Sequence, residues 1–512
     1  MKLSNRLLGV LTMSALLTRV ASGAATEPPE ERAARYLASI HQNPSLLLPF
    51  LRAMPKGGDL HIHLAGAVYA EKWIDYAAQD NFCVDRRSSS LLPPPCDTSC
   101  ARDAEKKAVA CAYQDPILYN QLVDAWSMRN FNYLESGHDH FFASFGKFLP
   151  ASAHSTGAQL AEVAARAAAD HEQYLELMHS AGGDQAAADL AAKLRWDDDL
   201  GKMRATLLAG GLKVALSETR AQLSRDEATQ RQLLRCDSPQ PDAGCRVTVR
   251  YLYQVLRGLP RETVFAQILL GFELAQADPR FVGLNLVMPE DGYVPMHDFD
   301  LHMKMIDYLH TFYPKVHISL HAGELSMGLV PPDGLRSHIR KSIELGHAER
   351  IGHGVSVMNE DDPLGLLKEM AQKKVLVEIC LTSNDLILRV AGANHPLPVY
   401  IQHGVPVTLA TDDEGVSRTD MTHEYLRAVT TYDLPYSELK RMARLSLEHS
   451  FLSGSSLWAD TDQFHAIAAC ATDRADIQDN PSVPCGRFLA DSDRAKAQWQ
   501  LEREFAKFEK QY

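Results

Sequence analysis

Along the chain, short runs of β-branched or apolar residues alternate with longer stretches in which apolar positions recur at helical spacing. The short runs predict eight strands, at 59–64, 174–178, 247–256, 281–287, 316–321, 350–354, 375–381 and 405–411. Ala/Leu-rich periodicity predicts helices between them, for instance over 158–171 and 186–208. Eight strands separated by helical spans are the pattern of an α/β chain folded as a (β/α)8 TIM-type barrel, whose chemistry sits at the carboxyl ends of the strands. Ahead of the barrel, 27–51 reads as a helix that breaks at Met54-Pro55-Lys56-Gly57-Gly58. The spacing between the first two strands is far larger than a simple crossover, so a large insertion follows the first strand, over about 71–150. The organisation expected is a leader over 1–24, an N-terminal helical extension over 25–53, and a barrel over 54–460 with a disulfide-bearing insertion over 80–115. A C-terminal extension over 461–512 follows, ending in a charged helix over 492–510.

The ends and the cysteines indicate a compartment. Lys2 and Arg6 precede an apolar run over 7–17, and Ala21-Ser22-Gly23-Ala24-Ala25 follows. That order is a secretory signal peptide cut near Ala24 or Ala25, which predicts a secreted or periplasmic protein. Eight of the nine cysteines fall in three local groups. Pairing within groups joins Cys236 to Cys245 and Cys470 to Cys485, and leaves two bridges among Cys83, Cys96, Cys100 and Cys111 in any of three connectivities. Cys380 remains inside the apolar run Val375-Leu376-Val377-Glu378-Ile379-Cys380, where a thiol behaves as a small hydrophobe. Four bridges suit an oxidising compartment. No Cys-x-x-Cys occurs, which removes a zinc ribbon or a thioredoxin-type motif.

Composition narrows the partners. The 512 residues carry 52 Lys+Arg against 65 Asp+Glu, a formal net charge of −13, with 46% hydrophobic and 23% charged residues. This is a globular balance with no Lys/Arg-rich run, so a nucleic-acid partner is not expected. No apolar stretch reaches the roughly 20 residues of a membrane span, so no membrane partner is expected once the leader is removed.

Histidines and acids gather at the predicted strand ends. The first strand ends in His61-Ile62-His63, whose imidazoles share one face about 7 Å apart along the strand. The fifth ends in His321-Ala322-Gly323-Glu324, the sixth in Gly352-His353-Gly354, and the eighth in Thr411-Asp412-Asp413-Glu414. Taken singly, each is an ordinary surface or core residue, and His317, His347 and His403 are read that way. Their convergence on one rim is the signal. Three imidazoles with a carboxylate suit zinc, although iron, manganese or cobalt fit the same donors. Glu324, three residues beyond His321, is placed to exchange a proton with a substrate near the metal, while His353 and Asp412 are placed to hold an attacking water.

These stretches resemble the adenosine deaminase family, and especially its longer, secreted, growth-factor-related branch. The resemblance rests on Met54-Pro55-Lys56-Gly57-Gly58-Asp59-Leu60-His61-Ile62-His63-Leu64, His321-Ala322-Gly323-Glu324, Arg350-Ile351-Gly352-His353-Gly354, Cys380-Leu381-Thr382-Ser383-Asn384 and Leu409-Ala410-Thr411-Asp412-Asp413, in the family's order over roughly residues 54 to 455. It implies one Zn2+ on His61, His63, His321 and Asp412, with Glu324 protonating purine N1, His353 orienting the attacking hydroxide and Asp413 bonding N7. The product of adenosine would be inosine. Phe141, Phe142 and Phe145 resemble the helix that walls the purine pocket. The same branch suggests a homodimer.

Two departures from the family pattern bear on the substrate. Ala65 stands where many members carry an acid that contacts the ribose, and Met288 stands where a glycine usually brings its N–H to purine N3. The leading expectation is a deaminase of adenosine or 2′-deoxyadenosine. The alternatives are the same reaction on adenine, an N6-substituted adenine nucleoside or another aminated heterocycle, or an extracellular binding or signalling protein on a retired barrel. The last predicts a damaged ligand set, whereas all four candidate ligands and the acid are present.

Overall fold

A computed structural model of the chain describes residues 27–101, 104–132, 134–473 and 480–512; the expected leader over 1–24 lies outside them. Eight parallel strands form one sheet in sequential order: β1 (Gly57–His63), β2 (Glu172–Met178), β3 (Thr248–Leu256), β4 (Phe281–Val287), β5 (His317–Ala322), β6 (Arg350–His353), β7 (Leu376–Ile379) and β8 (Val407–Leu409). The sheet closes on itself just beyond β8. There the Asp412 N–H donates to the His61 carbonyl (2.8 Å) and the His63 N–H to the Asp412 carbonyl (3.1 Å). The architecture is a (β/α)8 TIM-type barrel, with β-branched and Leu side chains filling the strands on both faces as a fully enclosed parallel sheet requires.

The strands lie where the apolar runs predict them, with shifted ends. Val375 and Leu381 fall outside β7: Leu381 opens the helix Leu381–Leu388, and Cys380 between them is a buried free thiol. The single helix expected over 27–51 is two, Pro29–Ile40 and Pro44–Ala53. Pro44 cannot continue a helix from the preceding turn but is well placed to start one. The periodicity over 186–208 likewise divides into Gly183–Ala191 and Leu200–Ala209, because the Asp199 carboxylate caps the second helix through the Gly201 and Lys202 N–H groups.

Inside the insertion, Leu91–Leu92, Cys83–Asp85 and Lys106–Ala108 form a small antiparallel sheet in that order. The four cysteines there pair as Cys83–Cys96 and Cys100–Cys111, while Cys236–Cys245 and Cys470–Cys485 pair as their spacing predicts. The helix Gly137–Phe148, capped by the Ser136 hydroxyl, packs on Leu381–Leu388 at the carboxyl end of the barrel. At the periphery, Lys440 on the helix Tyr436–Glu448 joins Glu30 from the N-terminal segment (2.8 Å) to Glu509 from the last helix (2.5 Å). No helix among the described residues is long and apolar enough to cross a membrane.

The barrel interior holds a fully buried charged group. Arg350 on β6 donates to Glu378 on β7 (2.7 Å) and to Glu176 on β2 (2.6 Å), and its guanidinium lies 3.8 Å over the Phe451 ring. Removing the cation would leave two buried carboxylates without the guanidinium that they share. Arg350→Ala is therefore expected to lower unfolding stability by about 3–5 kcal/mol, read by chemical denaturation, and a loss below about 1 kcal/mol would show that the network is not needed for the fold.

Candidate active site

The barrel's carboxyl rim brings His61, His63, His321 and Asp412 together, and among the described residues two groups could hold a metal ion, His61, His321, His353 and Asp412, and His63, Asp412 and Asp413. His61 Nε2 lies 3.1 Å and His63 Nε2 3.2 Å from His321 Nε2, and the same two nitrogens lie 3.5 and 3.3 Å from Asp412 Oδ1. Two donors each about 2.1 Å from one ion and roughly 100–110° apart stand about 3.2–3.4 Å from each other, so these four separations suit a single divalent cation.

The outer partners of each side chain say what occupies those nitrogens. His61 Nδ1 faces the Glu378 carboxylate at 2.6 Å, which places its proton there. Burial raises the Glu378 carboxyl, but Arg350 and His61 together hold it below the usual range, so it stays ionised. His321 Nδ1 faces Asn285 Oδ1 at 2.7 Å, and that oxygen also accepts the His321 backbone N–H at 3.1 Å while the Asn285 amide group turns to Ser319. His63 Nδ1 faces Gln254 Oε1 at 3.3 Å. Each Nε2 thereby faces the others, and a cation between them would take the place of a shared proton. Ser383 donates to Asp412 Oδ2 (2.7 Å), which leaves Oδ1 to the cluster. These residues could hold a metal.

His353 closes one side with a different tautomer. The Leu397 N–H donates to His395 Nδ1, His395 Nε2 then donates to Asn384 Oδ1, and the Asn384 amide donates to His353 Nδ1 (3.0 Å). The His353 proton sits on Nε2, which is buried and bonded to no protein atom. Burial pushes the imidazole pKa down to about 3, so the ring is neutral. Glu324 lies 3.8 Å away. Burial, with the Asp412 and Glu290 carboxylates nearby, pushes its carboxyl well above the usual range, which favours the protonated acid. Burial also raises Asp413, to about 7, against the pull of His63. Asp413 Oδ1 has no protein partner, and it lies 1.5 Å from where a Cβ on Gly66 would stand, so only glycine leaves that carboxylate its place. Gly352 serves His61 in the same way, since a Cβ there would meet the imidazole at 2.4 Å.

Three of the rim residues hold a left-handed backbone without being glycine: Met288 (φ 85°), His353 (φ 66°) and Asp412 (φ 60°). Such conformations cost free energy and persist where surrounding bonds over-determine them, as at functional sites. A cavity of about 460 Å³ opens onto the group. His63, His321, Glu324, Asp412 and Asp413 line its inner end, and Phe141, Phe142, Phe145, Leu256 and Met288 form its walls. Ala65 also lines it. His317 and His347 lie apart from this rim, bonded to Glu349 and Asp307, and His403 is exposed on a loop.

Strand-end reading missed the residues that orient the imidazoles: Glu378, Asn285, Gln254 and Asn384. A signal existed for two of them, because Glu378 and Asn285 are polar residues inside otherwise apolar strand runs.

Residues 214–458 match the family model described as Adenosine deaminase. The chain is 39% identical over 140 residues to the adenosine deaminase of Salmonella typhi, covering 27% of this chain and 39% of that one. It is 37% identical over 137 residues to that of Enterococcus faecalis, covering 27% and 37%. The matched stretches thus span under two-fifths of those relatives. Among solved structures, the N6-methyl-AMP deaminase of Arabidopsis thaliana aligns with a TM-score of 0.50 at 18% identity, over 79% of this chain and 94% of that one. The adenine deaminase of Arthrobacter aurescens gives 0.50 at 18%, over 78% and 94%. Those two likenesses concern the fold. Taken together, the family model and the curated relatives make this chain similar to adenosine deaminases over part of its length, the model over the residues that carry β3 to β8.

Proposed function

We propose that the chain is an exported, zinc-dependent aminohydrolase that converts adenosine or 2′-deoxyadenosine to the inosine product and ammonia. The observation that carries this reading is the buried carboxyl group of Glu324, raised well above the usual range, in the same cavity of about 460 Å³ as His63, His321 and Asp412. His61, His63, His321 and Asp412 would hold the ion, and three imidazoles with one carboxylate favour zinc. Bound zinc supplies Lewis-acid activation of water near neutral pH.

The chain's own residues carry the remaining work. The phenylalanines of 141–145 and Met288 offer an apolar slot for a planar base and exclude water from the reacting carbon. Glu324 gives its proton to N1, which makes C6 electrophilic. His353 donates its Nε2–H to the oxygen that adds at C6, and Asp413 bonds the ring at N7. The C6 hydroxyl proton then passes to the amino nitrogen, ammonia leaves as the C6–O bond becomes the product carbonyl, and the proton released in forming hydroxide restores the Glu324 acid. The four disulfides support export, since such bridges persist in oxidising compartments.

A second reading keeps the reaction on adenine or another uncharged aminopurine. Ala65 on the cavity wall and the apolar character of its outer half favour it. No lysine or arginine lines the cavity among the described residues, so a nucleotide phosphate would enter without a counter-charge.

Purified protein is expected to release ammonia from adenosine, to lose that activity on chelation and to regain it with zinc. Turnover of adenine with none of adenosine would transfer the assignment to the second reading. Glu324→Gln should keep fold and metal content while cutting turnover by about 100-fold or more, the scale of a positioned proton donor; unchanged turnover removes Glu324 from the mechanism. Gly66→Ala should displace Asp413 and lower kcat/KM by about 10-fold or more with the thermal midpoint preserved. Wild-type kinetics in that variant would take Asp413 out of substrate binding.

A further inference from the structure

Glu290 follows β4 and is almost fully buried, yet the mechanism above makes no use of it. Its Oε1 accepts the Gly323 N–H (3.2 Å) and its Oε2 the Glu324 N–H (2.8 Å), the two consecutive amides that lead into the catalytic acid. His338 Nδ1 grips the same carboxylate at 2.6 Å, and the His338 ring is itself stacked on Phe299 at 3.7 Å. Arg257 ties the neighbouring turns together by donating to the Met288 and His321 carbonyls. Gly323 has φ +73°, so the peptide ahead of Glu324 is one that a regular strand would not hold. An ionised carboxylate receiving two backbone N–H groups makes strong, directional bonds. Here it fixes where the Glu324 side chain departs from the backbone.

We propose that Glu290, held by His338, is a positioning residue for Glu324: it clamps the Gly323–Glu324 backbone so that the acid meets the ring nitrogen of a bound aminopurine. This rests on the deaminase reading. The clamp touches neither substrate nor metal donors directly, so its removal should be felt in the proton-transfer geometry and little in ground-state binding.

The test compares Glu290→Gln with wild type in the zinc-loaded full chain, using adenosine. Gln keeps the shape but sets an NH2 group against one of the three donors. The expected result is a kcat lowered about 10- to 100-fold, the scale of a misplaced catalytic group, with KM within about threefold and zinc content and thermal midpoint unchanged. His338→Leu, which removes the grip, should lower kcat in the same sense, and His338→Gln, which keeps a donor, should restore most of it. That pair decides the matter if E290Q does not fold. Wild-type kcat in E290Q and H338L overturns the positioning role, and so does a parallel loss of zinc and stability, which marks Glu290 as structural. A wild-type protein that deaminates no aminopurine overturns the functional reading instead.

Discussion

A parallel barrel must join its last strand to its first, and here the joining bonds are made by candidate metal donors. The Asp412 backbone sits between His61 and His63, bonded to the carbonyl of one and the N–H of the other. A slip of one residue in that register would turn the His61 and His63 side chains to the outer face of the barrel. Closure of the fold and convergence of the donors are therefore the same event. The strained backbone of Asp412 is held where closure leaves it no alternative.

Beneath that contact lies a second requirement. Three imidazoles crowded Nε2 to Nε2 stay in register because each ring is held from behind. Glu378, Asn285 and Gln254 do so from three different strands. Glu378 is charged and fully buried, which would be unfavourable without Arg350, and Arg350 in turn requires Glu176. The chain of dependence runs from the donors through the barrel interior to β2 on its far side.

Above the donors the environment changes from polar to apolar within one cavity. Burial acts oppositely on its two kinds of group: it raises the Glu324 carboxyl and lowers the His353 imidazole to about 3, favouring the uncharged form of each. Phe141, Phe142 and Phe145 of the insertion form part of the apolar wall of that cavity. The insertion that separates β1 from β2 thus helps to shape the cavity although it lies outside the barrel wall.

Much of this was legible from pattern. Short apolar runs separated by helical spans pointed to a closed parallel sheet, since strands apolar on both faces must be covered on both. The His-x-His alternation put two imidazoles on one face, and the local cysteine spacing paired Cys236 with Cys245 and Cys470 with Cys485. Other features were not legible. The pairing of Cys83 with Cys96 depended on a small sheet that no periodicity announces, and the helix breaks at Pro44 and Asp199 depended on local capping. Glu378, Asn285, Asn384 and Glu290 acquire their roles only across distances of tens to hundreds of residues. Short-range physics, the alternation of a strand and the turn of a helix, is written in neighbouring residues and so the sequence alone determined the barrel and its histidine rim. Tautomers, proton occupancy and the clamp on Glu324 depend on which groups share a dry interior, and only tertiary packing decides that.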